Sequence, residues 1–409
     1  MTKENCLNNP VKEQRVEHYL ENNKALYVIF LATLAMTAPL ATDMYLSAIP
    51  QIAEGWGVGK DIANLTLVLW FISFSVSILI AGSLSDKYGR KPILIGGLAI
   101  FVGSSFLCAL AGSIEQLIIF RIFQGMGAAA PAAIVMAIIR DRFKGVERQK
   151  ALAYVMTIVA VAPMVAPLLG AFLLKVANWR FIFLLQGTLV SITFLVSLTI
   201  RETLDTKLDT SVFKLVTRYG VHLRNRPYLF ASMSMGLLVL PFYGYIAFSP
   251  IFYISIHGLS ESTFSLLFGL NALVSMAGAF TSSRLTKRLD DKQIITIAIL
   301  GAIVAGAGLT LFAGRHYLYF LFFIAIFSFF TGLSRPSSGS LILGLVKTDV
   351  GSASSLLVFY QFIAGAACMA FVTQPWSRPV LVFSLLTLGV SVLVLLLWSK
   401  ISKTLNPEN

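Results

Sequence analysis

Ala81-Gly82-Ser83-Leu84-Ser85-Asp86-Lys87-Tyr88-Gly89-Arg90-Lys91-Pro92 lies between two long apolar runs, one ending at Leu84 and the next beginning at Pro92. A hydrocarbon core roughly 30 Å thick takes about 20 helical residues. The four charges of this stretch, Asp86, Lys87, Arg90 and Lys91, are therefore confined to a very short loop at a membrane surface, and Gly82 and Gly89 allow tight backbone geometry there. Short basic loops of this kind sit on the cytoplasmic side.

Composition agrees with that reading. The chain has 409 residues, 57% hydrophobic and 12% charged, where soluble domains carry roughly 25% charge. The class is an all-α integral membrane protein of twelve transmembrane helices in two pseudo-symmetric six-helix bundles. A net charge of +13 raises nucleic acid as a partner, but the positive residues are spread thinly over many loops, as orientation in a bilayer requires; nucleic-acid binding is not expected. Cys6, Cys108 and Cys368 are far apart and predict no disulfide and no metal site.

Spans are expected near 25–48, 61–84, 92–112, 115–140, 150–174 and 181–200, then near 228–256, 262–284, 293–313, 317–345, 351–374 and 379–399. The resulting units are an N-terminal tail over 1–24, a bundle over 25–200, a linker over 201–227, a second bundle over 228–399 and a tail over 400–409, with tails and linker cytoplasmic. The polar start is too unlike a secretory leader to be one. Charge tests the layout. Of 32 Lys and Arg, five fall in outward loops (Lys60, Lys175, Arg180, Arg315, Arg378) and two inside spans (Arg121, Arg335), leaving 25 on the cytoplasmic side. A faint repeat, Ser283 to Lys292, follows span 8 where the opening stretch follows span 2, in keeping with two related halves.

Charged residues inside spans are the functional candidates. Asp43 is the one acid that no tail, loop or span end accommodates. Arg121 enters span 4 about six residues deep, roughly 9 Å at 1.5 Å per residue, which matches the depth of Asp43; the two are expected to pair or to compete for one proton. Burial and a nearby arginine act on a carboxylate in opposite directions, so a change in their separation would load or unload a proton. No span holds a His, which leaves Asp43 as the proton carrier. Arg335, between Gly332 and Pro336, falls where a helix break is expected and would meet either an anionic group or a backbone carbonyl. Pro163 and Pro167 stack on one face of span 5 and let it bend. Tyr243 and Tyr245 belong to an aromatic cluster around prolines in span 7 that would line a cavity, and Asn271 and Gln361 are expected polar contacts.

Several motifs carry a family resemblance. Gly82, Leu84, Asp86, Gly89, Arg90 and Lys91 resemble the span 2–3 loop signature of major facilitator superfamily transporters. Arg121, Gln124, Gly125, Gly127, Ala128 and Ala129 resemble that family's span 4 segment, and Pro163 to Gly170 its antiporter motif. With Thr42 to Pro50, in which Asp43 and Tyr45 stay in register, Arg140-Asp141, Trp179-Arg180 and Glu202-Thr203-Leu204, the chain resembles the Bcr/CflA (bicyclomycin and chloramphenicol resistance) drug:proton antiporters. The resemblance implies a multidrug exporter of a bacterial inner membrane, with small lipophilic substrates and protons as partners, Tyr45 and Gln124 among the residues that contact substrate, membrane lipid around it, no cofactor and a monomeric state. By the same analogy Asp86, Arg140 and Glu202 form a charge cluster that latches the halves in the outward-open state. Export of an endogenous metabolite or siderophore is the alternative. An intramembrane enzyme is disfavoured, because the spans hold no H-E-x-x-H, no Cys or His cluster and one lone acid.

Overall fold

The computed structural model describes residues 23–207, 219–346 and 350–404. Twelve helices there are long and apolar enough to cross a membrane. They are α1 (Lys24–Trp56), α2 (Lys60–Tyr88), α3 (Arg90–Leu110), α4 (Ile114–Arg142), α5 (Gly145–Val176) and α6 (Arg180–Thr199). The second set is α7 (Arg226–Ile256), α8 (Glu261–Leu285), α9 (Asp291–Phe312), α10 (Tyr317–Gly344), α11 (Val350–Val372) and α12 (Pro379–Lys403). Polar side chains set many starts: Asn23, Ser113, Asn225 and Ser260 accept orphan N–H groups at the first turns of α1, α4, α7 and α8. Leu110, Phe172 and Leu311 face outward with more than half of their surface exposed. Such an exterior suits hydrocarbon, where helices satisfy their own backbone.

The expected spans all appear, most of them longer than hydropathy marks. α2 runs on through Asp86 and Lys87, so only Gly89 separates it from α3. Its φ of +111° reverses the chain in one residue, and a Cβ there would strike the Glu202 carboxylate. α1 departs most from expectation. It continues to Trp56 instead of ending near 48, and it is interrupted twice, at Met36 and again over Met44–Ala48. Pro39 has no N–H for Ala35, and Pro50 none for Leu46, so both defects have a proline one turn ahead. Asp43 lies between them.

Arg335 is not at a break. α10 is continuous through Pro336, and α5 through Pro163 and Pro167. Neighbouring helices hold such segments straight enough to keep their ladder. Pro163 and Pro336 nonetheless leave the carbonyls of Val159 and Gly332 without their usual donors.

Packing repeats between the halves. α1 packs on α5, α2 on α4, α3 on α4 and α6; correspondingly α7 packs on α11, α8 on α10, α9 on α10 and α12. The halves meet through α2 with α11 and α5 with α8. Phe362 stacks on Phe71 and meets Phe74 at a tilt (ring centres 5.3 and 4.9 Å) at the first contact. At the second, Ser265 Oγ donates to the Pro167 carbonyl at 2.9 Å. Part of the 201–227 linker lies outside the described residues. Beyond it Tyr219 returns to the first half and donates to the Leu79 carbonyl at 2.8 Å.

Candidate functional site

Between the halves lies a cavity of about 500 Å³, the size that suits a drug-sized ligand. It brings together Asp43, Pro163, Tyr243, Tyr245, Asn271, Arg335 and Gln361 from six helices. The same wall carries Trp70, Phe71, Phe242 and Phe362, which the sequence reading did not single out. Their signal was weak: Trp70, Phe71 and Phe74 are aromatic residues in a mid-span stretch, and Phe362 merely follows Gln361.

Asp43 ends the helical piece Thr37–Asp43 and is 6% exposed. Its Oδ1 lies 2.9 Å from Thr42 Oγ1, which also reaches the carbonyls of Ala38 and Pro39. One hydroxyl proton serves three acceptors, so the carboxylate has at most a shared donor.

The expected pairing of Asp43 with Arg121 does not occur. Arg121 is fully buried within the first half, where its Nη1 donates to the Ala41 carbonyl at 3.0 Å and to Gln124 Oε1. Depth was matched, but helical phase was not: residues two apart on a helix point to nearly opposite sides, so α1 turns Ala41 toward α4 and Asp43 toward the cavity. The guanidinium sits among the rings of Tyr45, Trp70 and Phe183, 4.7, 5.6 and 5.8 Å away, which stabilise a cation in place of a carboxylate. Its Nε and Nη2 have no partner.

Tyr45 and Gln124, expected to contact substrate, belong to this interior and not to the cavity wall. Tyr45 is fully buried with its hydroxyl 2.7 Å from Thr66 Oγ1. Gln124 Nε2 donates to Ser105 Oγ at 2.8 Å and to Gln186 Oε1 at 3.1 Å. Gln186 in turn donates to the Leu40 carbonyl at 3.1 Å, tying α6 to α1. Gly125 and Gly127 serve packing, since a Cβ on either would run into the backbone at Trp70 or at Gly97 and Phe101.

A second polar constellation lies where α2, α3, α4 and the segment after α6 meet. Arg90, only 3% exposed, bonds Asp86, Asp141 (3.1 Å) and Ser85 (2.7 Å). Arg140 was expected in that place. It points outward, 57% exposed, with its Nε 3.6 Å from Asp141. Arg140 and Asp141 are consecutive on α4, so only one can face the junction, and Asp141 does. Glu202 caps α3, accepting the N–H groups of Arg90 (2.8 Å) and Lys91 (3.1 Å) as well as those of Thr203 and Leu204. Burial pushes its carboxyl upward, and the four backbone donors outweigh burial and hold it below the ordinary 4.5. The members of this cluster come from the first half and, with Glu202, from the start of the linker. Gly82 lies elsewhere on α2, against α11, where a Cβ would meet Ser355 Oγ at 3.8 Å.

Residues 31–369 match the family described as Major Facilitator Superfamily. The chain is 31% identical over 369 residues to the uncharacterized MFS-type transporter YdgK of Bacillus subtilis, which spans 88% of this chain and 89% of that one. It is 28% identical to the multidrug transporter MdfA of Yersinia pestis (88% and 91% covered) and 25% identical to a bicyclomycin resistance protein homolog of Haemophilus influenzae (90% and 94%). A bacterial homolog of the human lysosomal transporter Spinster, in an inward-facing, unoccupied conformation, has the same fold, with a TM-score of 0.69 at 18% identity over 93% of this chain and 97% of that one. Twelve apolar helices in two packed halves, a cavity between them and a family match over most of the length lead to one conclusion: the chain belongs to the major facilitator superfamily, whose members are transporters and not enzymes.

Proposed function

We propose that this protein exports small lipophilic compounds, chloramphenicol- or bicyclomycin-like antibiotics among them, in exchange for protons across a bacterial inner membrane. The observation that carries the reading is Asp43: the only acid on the wall of a cavity lined mainly by apolar and aromatic side chains, set in an interrupted helix with no cation paired to it among the described residues. An ionised group inside a membrane is costly unless it is paired or reached by water. Its protonation is thus linked to what fills the cavity, and a proton and a substrate compete for the same space. The relatives named for multidrug transport and bicyclomycin resistance support the cargo class.

Alternating access follows from the helix contacts. α1 meets α7 and α5 meets α8 at the end remote from the termini, and α2 touches α11 at Gly82 and Ser355 nearer the side of the tails and linker, so the halves have contacts about which to rock. The excess of Lys and Arg on those segments makes that side cytoplasmic, with 25–200 and 228–399 as the two rocking units joined by 201–227. Bending at Pro163 and Pro167 in α5 would part the α5–α8 contact. The protein works as a monomer surrounded by lipid.

The test is dequenching of a pH-sensitive dye in inside-out vesicles on addition of candidate antibiotics. Wild type is expected to show drug-induced proton movement and Asp43→Asn none. An equal response from both would remove Asp43 from the coupling, and silence from both to every drug would turn the reading toward export of a metabolite.

A further inference from the structure

Two charged side chains line the cavity, Asp43 from the first half and Arg335 from the second, and they form no ion pair with each other or with any other described residue. From this geometry we propose that the preferred substrate is an aromatic zwitterion. Its ammonium end sits on Asp43, its carboxylate on Arg335, and its ring lies against Phe71, Tyr243 and Phe362. The proposal rests on the export reading above and names the charge class of its cargo.

Arg335 is built differently from the other intramembrane arginine. Arg121 is sealed in the first half, where it donates to a carbonyl and an amide. Arg335 is exposed to the cavity, donates to no described side chain or carbonyl, and lies over the Phe242 ring at 4.8 Å. The ring contact uses none of the guanidinium N–H groups, and a guanidinium with free N–H groups can grip a carboxylate with two parallel bonds. Snorkelling does not account for it. Arg335 precedes the end of α10 at Gly344 by nine residues, roughly 13 Å at 1.5 Å per residue, beyond the reach of its side chain.

A second unpartnered group stands on the same wall. Asn271 is 1% exposed, lines the cavity, and its Oδ1 has no hydrogen-bond partner. α8 and α10 cross where Gly332 abuts the Ser275 carbonyl; Asn271 lies about one turn to one side of this crossing and Arg335 about one turn to the other, roughly 10 Å apart along the same cavity wall. A buried unpaired amide costs free energy until a ligand meets it. An aromatic wall for the ring to lie against is formed already: Phe71 stacks on Phe362 at 5.3 Å, and Tyr243 lies 5.4 Å from Phe362 and 5.7 Å from Phe71.

Charge balance selects the zwitterion over simpler ions. With Asp43 ionised the wall is neutral overall, and with Asp43 protonated it carries +1, so a lipophilic cation meets Arg335 as an unfavourable neighbour in both states. A simple anion would bind best beside a protonated Asp43, which links it to proton movement in the same direction and contradicts exchange. A zwitterion is attracted at both ends, and only its ammonium end competes with the proton for Asp43. That competition is the linkage that exchange requires.

The test uses one ring skeleton in four charge states: 6-(aminomethyl)-2-naphthoic acid, its methyl ester, its N-acetyl derivative and its N-acetyl methyl ester. Binding to the purified full-length protein in detergent is measured by titration calorimetry for wild type, Arg335→Gln, Arg335→Lys and Asp43→Asn. The zwitterion is expected to bind wild type about tenfold tighter than each of the other three. Arg335→Gln should lose about tenfold for the zwitterion and for the N-acetyl acid and nothing for the cationic ester, while Arg335→Lys keeps part of the preference. Asp43→Asn should lose affinity for the zwitterion and the cationic ester. Four compounds binding wild type within threefold of one another, an Arg335→Gln variant weakened equally for all, or no binding by any of them to the folded protein would each overturn the proposal. None of these results touches the vesicle assay, which reads proton exchange with neutral antibiotics and fails or stands separately.

Discussion

The α2–α3 junction of the first half and the α8–α9 junction of the second occupy equivalent places and are built in different ways. The first turns on one residue, Gly89, and knots four chain segments through Arg90, Asp86, Asp141 and Glu202. The second uses a looser turn from Thr286 to Asp290 and is closed locally by a capping box between Asp290 and Gln293. The cores differ in the same sense. The first half buries the Arg121–Gln124–Gln186 network, whereas the second buries stacked rings, with Phe252 on Phe320 at 4.0 Å and Tyr245 on Phe268 at 5.6 Å. Two bundles of one topology thus distribute polarity unequally: directional bonds hold the first half, and shape-filling aromatics the second.

Four substitutions probe that contrast. Arg90→Ala should have the largest effect, about 3 kcal/mol, because it removes the buried partner of Asp141, which is only 15% exposed, and leaves it only the longer contact with the exposed Arg140. The melting temperature of the protein in detergent reads it. Gln124→Leu is expected to cost about 2 kcal/mol, since it leaves Arg121 with one acceptor fewer and Ser105 and Gln186 without their donor; an unchanged melting temperature would show that the network contributes specificity and not stability.

Glu202→Gln should cost about 1 kcal/mol, the scale of a lost helix cap on a largely solvated group. Its pH dependence has a definite sign. The folded carboxyl titrates below its ordinary 4.5, so the stabilisation is fully present above that value and disappears as pH falls through the depressed folded one. The stability difference between wild type and Glu202→Gln should therefore shrink on acidification below 4.5, and a constant difference would assign the effect to lost contacts alone. Arg288→Ala, at the second junction, removes an exposed side chain with no ion pair among the described residues and should stay within about 0.5 kcal/mol. A large loss there would erase the contrast between the junctions.

Much of this architecture was readable residue by residue. Twelve apolar runs, the basic stretch Ala81–Pro92 and the isolated Asp43 required only hydropathy and the cost of charge in lipid. Other parts depended on rotation about helix axes, which hydropathy does not encode. Asp43 and Arg121 share a depth and face different compartments. Arg140 and Asp141 are neighbours in sequence, and the junction takes the acid. Trp70, Phe71 and Phe362 look like any span aromatics until α2 and α11 are brought face to face.

By itself the amino-acid sequence determined the helix number, the two-half plan and the residues whose charge has no place in a bilayer, because burying backbone and charge in hydrocarbon costs several kcal/mol per group and only a few patterns avoid it. Tertiary structure alone decided which of those charges meet. Asp43 and Arg335 come from opposite halves, nearly three hundred residues apart, and share a wall only because α2 packs on α11 and α5 on α8. Such placement follows from side-chain packing between helices, a weaker and more distributed interaction than the one that puts each helix in the membrane.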